Sequence, residues 1–258
     1  MEGVKLFITS KLLSAAGIVH GFSLRTGGVS SGAFSSLNLS VSVGDTDAAV
    51  RENHHRLREA AGLRGQVATA HQVHGDRVVD ARLQEVFAPS EPQENGADTL
   101  LALSEGAVGV RVADCVPILI AADGAVAAVH SGWRGTRLRI AARAVRALQH
   151  AAGADPARML AAIGPCIGRC CYEVSPELAA SFRTMFGTDA ADDPDGGPRP
   201  HLDLRYCVQQ ALAQAGVPAD RVEQVEGCTS CDTGAFFSHR RDKGRTGRHL
   251  AFIETRVT

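Results

Sequence analysis

The chain carries no excess of either charge. Its 258 residues hold 27 Lys and Arg against 28 Asp and Glu, a formal net charge of -1. No global basic field therefore argues for nucleic acid or an anionic membrane as a partner. A long apolar run is missing as well. The longest, residues 116–129, is broken by Asp123 and Gly124 and is too short to span a bilayer as a helix. The first ten residues, MEGVKLFITS, lack the basic-then-apolar order of a signal peptide. The sequence shows no long internal repeat and no linker that would divide it, so a single domain over residues 1–258 is expected. The Gly- and Ser-rich stretch 23–32 lacks the Gly-Lys-Ser/Thr ending of a Walker loop. The several His-x-His pairs of a multicopper centre are also absent. The seven cysteines are odd in number, which fits free thiols in a reducing compartment and a cytoplasmic location.

What is present is enough for a real core, with 45% hydrophobic residues. Thr46 or Asp47 caps an expected helix over 48–60, closed by Gly62, with His54 and His55 on a solvated face. Ser175-Pro176-Glu177 starts another, and Asp203 caps a third over 204–215. A long amphipathic helix is expected over 136–152, stopped by Gly153. Strands are expected over 17–22, 108–112, 116–121, 125–129, 159–163, 222–225 and 250–253. Residues 88–95 read as a polar loop, and 188–200 as the best candidate for a mobile one. Strands and helices intersperse without a strict βαβ rhythm, so layered α/β with mixed sheets is the expected class.

Residues 109–136, GVRVADCVPILIAADGAVAAVHSGWRGT, concentrate the chemistry. Two apolar segments meet at Asp123-Gly124, with Cys115 in the first, His130 ending the second, and the only tryptophan, Trp133, just beyond. A Cys and a His on neighbouring strands are half of a metal site or half of a nucleophilic pair. His71-Gln72-Val73-His74-Gly75-Asp76 offers further imidazoles, and read as strand–turn–strand it turns only one of them toward the site. His71, Cys115 and His130 each sit at or beside an expected strand end. Together they would make a zinc site with three protein ligands and an open position, where zinc brings the pKa of water toward neutrality. A Cys115–His130 nucleophile pair is the alternative. Nothing local fixes the long-range geometry. Cys228-x-x-Cys231 with Cys166, Cys170 and Cys171 could form a closed zinc site, but adjacent Cys170 and Cys171 cannot both turn one way from a strand, which favours incidental thiols. The basic tail with Arg240, Arg241, Arg245 and Arg248 suits a phosphate or carboxylate, with a solvated loop as the alternative.

These blocks together resemble one family. They are His20-Gly21-Phe22-Ser23-x-Arg25-x-Gly27-Gly28-Val29-Ser30, Asn38-Leu39-Ser40, Val43-Gly44-Asp45, His71-Gln72-Val73-His74-Gly75, Ala97-Asp98, Ala113-Asp114-Cys115-x-Pro117-Ile118, His130-x-Gly132-Trp133-Arg134-Gly135, Ile163-Gly164-Pro165, Cys171-Tyr172-Glu173-Val174 and Phe237-Ser238-x-Arg240-Arg241 with Thr246-Gly247-Arg248. In order and over nearly the whole chain, they are similar to the YfiH family, also called laccase-domain or polyphenol-oxidase-like proteins. The resemblance implies a layered α/β/β/α fold related to cysteine-hydrolase-like toxin domains. It implies zinc at His71, Cys115 and His130. It implies phosphorolysis of adenosine, inosine, guanosine and S-methyl-5'-thioadenosine, and deamination of adenosine, with purine nucleosides and phosphate as partners and a monomer or weak homodimer. Copper-dependent polyphenol oxidation and a Cys–His amidohydrolase linked to peptidoglycan editing are the alternatives. Within that reading Asp114 and Glu173 are the candidate general acid/base groups. Arg25 is expected on an anion or ribose, Asn38 on a ribose or base, and Arg241 in the same pocket. Ser131 stands where the family commonly has Ala, and Cys228-Thr229-Ser230-Cys231 departs from the family's polar and aromatic residues there.

Overall fold

A computed structural model describes residues 4–83, 96–193 and 199–255. In chain order the elements are β1 (Phe7–Ile8), α1 (Lys11–Ala15), β2 (Val19–Ser23), α2 (Asp47–Ala61), β3 (Val67–Ala68), β4 (Val78–Asp80), β5 (Thr99–Ala102), β6 (Gly106–Val112), β7 (Val116–Ala122), β8 (Ala125–Ser131), α3 (Trp133–Arg137), α4 (Ile140–Ala152), β9 (Leu160–Ile163), α5 (Pro176–Phe186), β10 (Ala191–Asp192), β11 (His201–Leu202), α6 (Leu204–Gln214), β12 (Val222–Gln224) and β13 (His249–Thr255). They form a mixed α/β fold with two principal sheets, both mixed. One sheet has the order β1-β2-β13-β6-β3 and the other β12-β9-β7-β8-β5-β4, while β10 and β11 pair separately.

Alternation of side chains explains why the central strands read as continuous apolar runs. Along β8, Ala125, Ala127 and Val129 join the core under α4, α5 and α6, while Val126 and Ala128 join the core shared with β6 and β13. In β13, Ala251 and Ile253 face that shared core, and Leu250 and Phe252 pack with Leu57 of α2 on the opposite face. Both faces of each strand are thus covered, so period-two alternation survives in space with no polar residue to mark it.

Local signals are read correctly where the cap is a side chain. Thr46 accepts from the Ala49 amide, Ser175 from Leu178 and Asp203 from Tyr206. Gly62 closes α2 at φ 62°. The long helix expected over 136–152 is instead two, α3 and α4, broken at Leu138–Arg139 with Arg139 at φ 59°. His54, expected on a solvated face, is half-buried with Nε2 3.1 Å from the Leu39 carbonyl. The loop expected at 88–95 lies outside the described residues. So does part of 188–200, of which Ala191–Asp192 forms a strand with His201–Leu202.

The two sheets exchange the chain at one end of the molecule. β3 and β6 are parallel neighbours in the first sheet, and each is followed by a strand of the second, β4 and β7. Parallel neighbours deliver their C-terminal ends side by side, so the crossings 69–77 and 113–115 meet. That meeting point holds the site.

Candidate metal centre and its cavity

His74 lies in the first crossing, Cys115 in the second, and His130 near the end of β8, whose register pairs it with Pro117. Ligand atoms of these three all lie within 4.8 Å of one another. The Cys115 Sγ is 3.9 Å from His74 Nε2, and the rings of His74 and His130 meet edge to face at 4.8 Å. In a tetrahedral zinc site with bonds of about 2.1–2.3 Å, ligand atoms stand roughly 3.4–3.8 Å apart. The donors therefore fit one metal ion with one position left open to the cavity.

Asp98 builds this arrangement. It is fully buried at the start of β5, and its carboxylate accepts the amides of Val73 (3.2 Å), His74 (3.0 Å) and Gly75 (2.7 Å). It also accepts a hydrogen bond from His130 Nδ1 at 2.7 Å, which leaves Nε2 as the ligating atom. Burial pushes the Asp98 carboxyl up, but the hydrogen bond and charge of His130, followed by the Gly75 and His74 amides, hold it below the ordinary Asp range. Burial likewise pushes the Cys115 thiol up, but the charge and hydrogen bond of His130, with lesser help from His74, bring it down to about 6. His130 is pushed down by burial and held up, to about 9, by Cys115 and Asp98. The pair favours thiolate beside imidazolium, the charge state that a metal ion replaces. Gly132 makes room for it, since a Cβ there would stand 3.1 Å from both Cys115 Sγ and His74 Cδ2.

The imidazole that the structure brings to Cys115 and His130 is that of His74, where His71 was expected. His71 lines the same cavity but lies outside the cluster. The physical reason is that 69–77 is not a strand pair. It is an irregular crossing, with His74 at φ 60°, wrapped around Asp98.

The cavity has a volume of about 440 Å³, within the range of small-molecule sites. Arg111, Arg240 and Arg248 line it, together with Trp133 and Tyr172. None of the three arginines has a carboxylate within ion-pair distance among the described residues. Arg240 stacks over Tyr172, 5.0 Å from the ring centre.

Four other expected residues lie off the cavity wall. Arg25 donates to the Ser35 and Thr233 carbonyls and lies over Phe237, 4.7 Å from the ring centre, so it clamps loops and leaves the cavity wall to others. Asn38 is fully buried and donates to Ser40 O and Asp45, while its oxygen accepts the Arg248 amide. Arg241 is consumed by Asp242 and by the carbonyls of Thr229, Ser230 and Phe236. Glu173 points away, half-exposed, with His201 Nε2 at 3.9 Å. Asp114 does line the cavity, at φ 99°. Both of its oxygens are taken at 2.6 Å, by Thr229 Oγ1 and by the Arg240 amide, which makes it an anchor for the basic tail. Asp98 and Arg111 were legible only as residue types in the sequence. A lone acid before a strand and a lone Arg among valines give no local sign of where they point.

Residues 19–256 match the family model described as multi-copper polyphenol oxidoreductase laccase, and the chain belongs to that family, the laccase/YfiH family. It is 37% identical to "Purine nucleoside phosphorylase YlmD" of Geobacillus stearothermophilus, over 93% of this chain and 91% of that one. It is 34% identical to "Adenosine deaminase RL5" of an unknown prokaryotic organism, over 88% and 92%. The crystal structure of YlmD from Geobacillus stearothermophilus superposes with a TM-score of 0.85 at 34% identity, covering 98% of this chain and all of that one.

Proposed function

We propose that this chain is a zinc-dependent purine nucleoside enzyme, a phosphorylase of adenosine, inosine, guanosine and S-methyl-5'-thioadenosine that also deaminates adenosine. One observation carries the reading. A His–Cys–His cluster with an open side shares its cavity with two aromatic rings and with three arginines that form no ion pair among the described residues. Relatives named as a phosphorylase and as a deaminase support it.

His74, Cys115 and His130 would hold the ion, which supplies Lewis acidity at the open side of the cluster. In phosphorolysis a phosphate oxygen bonds to the anomeric carbon while the C–N bond breaks and its electrons pass to the purine. Arg111, Arg240 and Arg248 bind the phosphate and hold its charge in line with that carbon. Trp133 and Tyr172 supply faces against which the base rests. In deamination water adds to purine C6 and ammonia leaves. His71 and His239, on the wall but outside the cluster, are our choice to move the protons in place of Asp114, whose oxygens accept from Thr229 and Arg240, and Glu173, which is off the wall. Asp98 keeps His130 oriented throughout. The two sheets and their covering helices are read as the α/β/β/α layering of cysteine-hydrolase-like domains.

The test is turnover of inosine and adenosine with and without phosphate, by wild type, Cys115→Ala and Arg111→Gln. Wild type is expected to release ribose 1-phosphate, and Cys115→Ala to lose on the order of 10²-fold or more in kcat. Arg111→Gln is expected to raise KM for phosphate roughly 10-fold, the worth of one charge-assisted hydrogen bond. Free ribose in place of ribose 1-phosphate would make the enzyme a hydrolase. Untouched nucleosides beside copper-dependent oxygen uptake on a phenol would replace the reading with polyphenol oxidation.

A further inference from the structure

Four cysteines outside the cavity converge on one point. Cys170 and Cys171 occupy a short 3-10 turn after β9, and Cys228 and Cys231 the turn after β12. β9 and β12 are parallel neighbours, and their ladder is prolonged by a bridge between Cys166 and Cys228. Parallel strands release their chains at the same end, which sets the two turns face to face. All four sulfurs lie within 4.8 Å of one another. The individual separations are 3.3 Å for Cys171–Cys231, 3.5 Å for Cys170–Cys231 and 3.7 Å for Cys170–Cys228.

The geometry points to a second metal site, in which Cys170, Cys171, Cys228 and Cys231 bind one zinc ion as a closed tetrathiolate. Four sulfurs about 2.3 Å from one ion stand roughly 3.8 Å apart at tetrahedral angles, close to the spacing found here. A disulfide needs about 2.05 Å. Sulfurs this close surround one ion and leave no room for a multi-iron cluster. Adjacent cysteines would diverge on a strand, but successive residues of a 3-10 turn project about 120° apart, so both reach a partner lying over the turn. At Cys228 a backbone donor suits thiolate: the Gly168 amide donates to its Sγ at 3.2 Å. Gly168 itself leaves the space, since a Cβ there would stand 3.1 Å from Cys170 Sγ and 3.4 Å from Cys228 Sγ.

The site is a staple. Its ligands come from segments 57 to 61 residues apart in sequence, as Cys171 to Cys228 and Cys170 to Cys231 show. Thr229, inside the C-x-x-C turn, holds Asp114, while Tyr172 and Ile167 of the other segment line the catalytic cavity. The ion fixes one wall of that cavity without touching its contents.

Zinc content of the full chain, purified under reducing conditions, tests this independently of any nucleoside activity. The variant His74→Ala/Cys115→Ala/His130→Ala, which lacks the first site, is expected to retain about one equivalent of zinc. Cys228→Ser/Cys231→Ser is expected to hold about one equivalent less than wild type. Should that pair fail to fold, cobalt loaded into the first variant decides, because a tetrahedral tetrathiolate gives intense visible bands and sulfur-to-cobalt charge transfer. Equal zinc in Cys228→Ser/Cys231→Ser and wild type would overturn the proposal. So would a first variant that takes up neither zinc nor cobalt, or in which the four sulfurs are paired as disulfides.

Discussion

Asp98 contributes no atom to the cluster, yet three backbone amides and one imidazole end on its carboxylate. Asp98→Asn keeps the shape and puts an amide NH2 where an acceptor is needed. Loss of such a partner to a ligating His typically costs 10- to 100-fold in metal affinity or activity. Zinc affinity measured by chelator competition is expected to fall by about that factor, and an unchanged affinity would refute the role. The choice between histidines is equally direct. His74→Ala is expected to empty the cluster and His71→Ala to leave its metal content intact, both read by metal analysis; the reverse result would restore His71 as ligand. His249 carries a pH signature of its own. Its buried Nε2 accepts the Phe237 amide at 2.8 Å, and burial first, then Arg25, lowers its pKa from 6.5 to about 3. Between those values the unfolded chain binds the extra proton. The contribution is therefore complete above pH 6.5 and is lost as pH falls toward 3, by about 1.4 kcal/mol per unit. In urea titrations, wild type is expected to lose up to about 2 kcal/mol more than His249→Gln between pH 7 and pH 5. Equal losses would refute it.

At the scale of elements, β7 and β8 form the antiparallel hairpin around Asp123-Gly124 that the sequence announces, since an apolar run interrupted by Asp-Gly has few other uses. Leu119 of β7 is fully buried in the core between the two sheets. Leu119→Ala is expected to cost about 2–5 kcal/mol in denaturant unfolding, with a value near zero showing that the sheets do not depend on that contact. Helix starts were legible because the capping side chain lies within three residues of the amide it serves. The break between α3 and α4 was not, because its supports are distant. Arg139 donates to Gln214 at the end of α6 and lies over the Phe186 ring, and those contacts hold a left-handed residue that the local pattern would run through as helix.

Across the whole molecule the His–Cys–His cluster joins the two sheets, with His74 and Cys115 on the crossings and His130 and Asp98 on the six-stranded side. Metal binding to the native state alone should therefore stabilise the entire fold. A site occupied at about 1,000 times its Kd adds roughly 4 kcal/mol. A kilocalorie moves Tm by about 2–4 °C in a chain of this size. Stripping metal is expected to lower Tm by roughly 10 °C, reversed on return of zinc, and a Tm indifferent to chelator would count against both sites. No helix among the described residues is long and apolar enough to cross a membrane.

Sequence alone determined two of the three clustered side chains, most strand and helix positions, and the family, because each is written in local pattern or in ordered blocks along the chain. Residues 109–136 single out Cys115 and His130 by sequence. Only the tertiary structure brings His74, and not His71 three residues earlier in the same motif, to Cys115 and His130. The decision rests with Asp98, 24 residues beyond His74, whose carboxylate gathers the amides of residues 73–75. It also engages Arg25, Asn38 and Arg241 in hydrogen bonds off the cavity wall, with partners from loops that only the folded sheets bring within reach. And it joined Cys170–Cys171 to Cys228–Cys231, a convergence set by two parallel strands rather than by spacing in the chain.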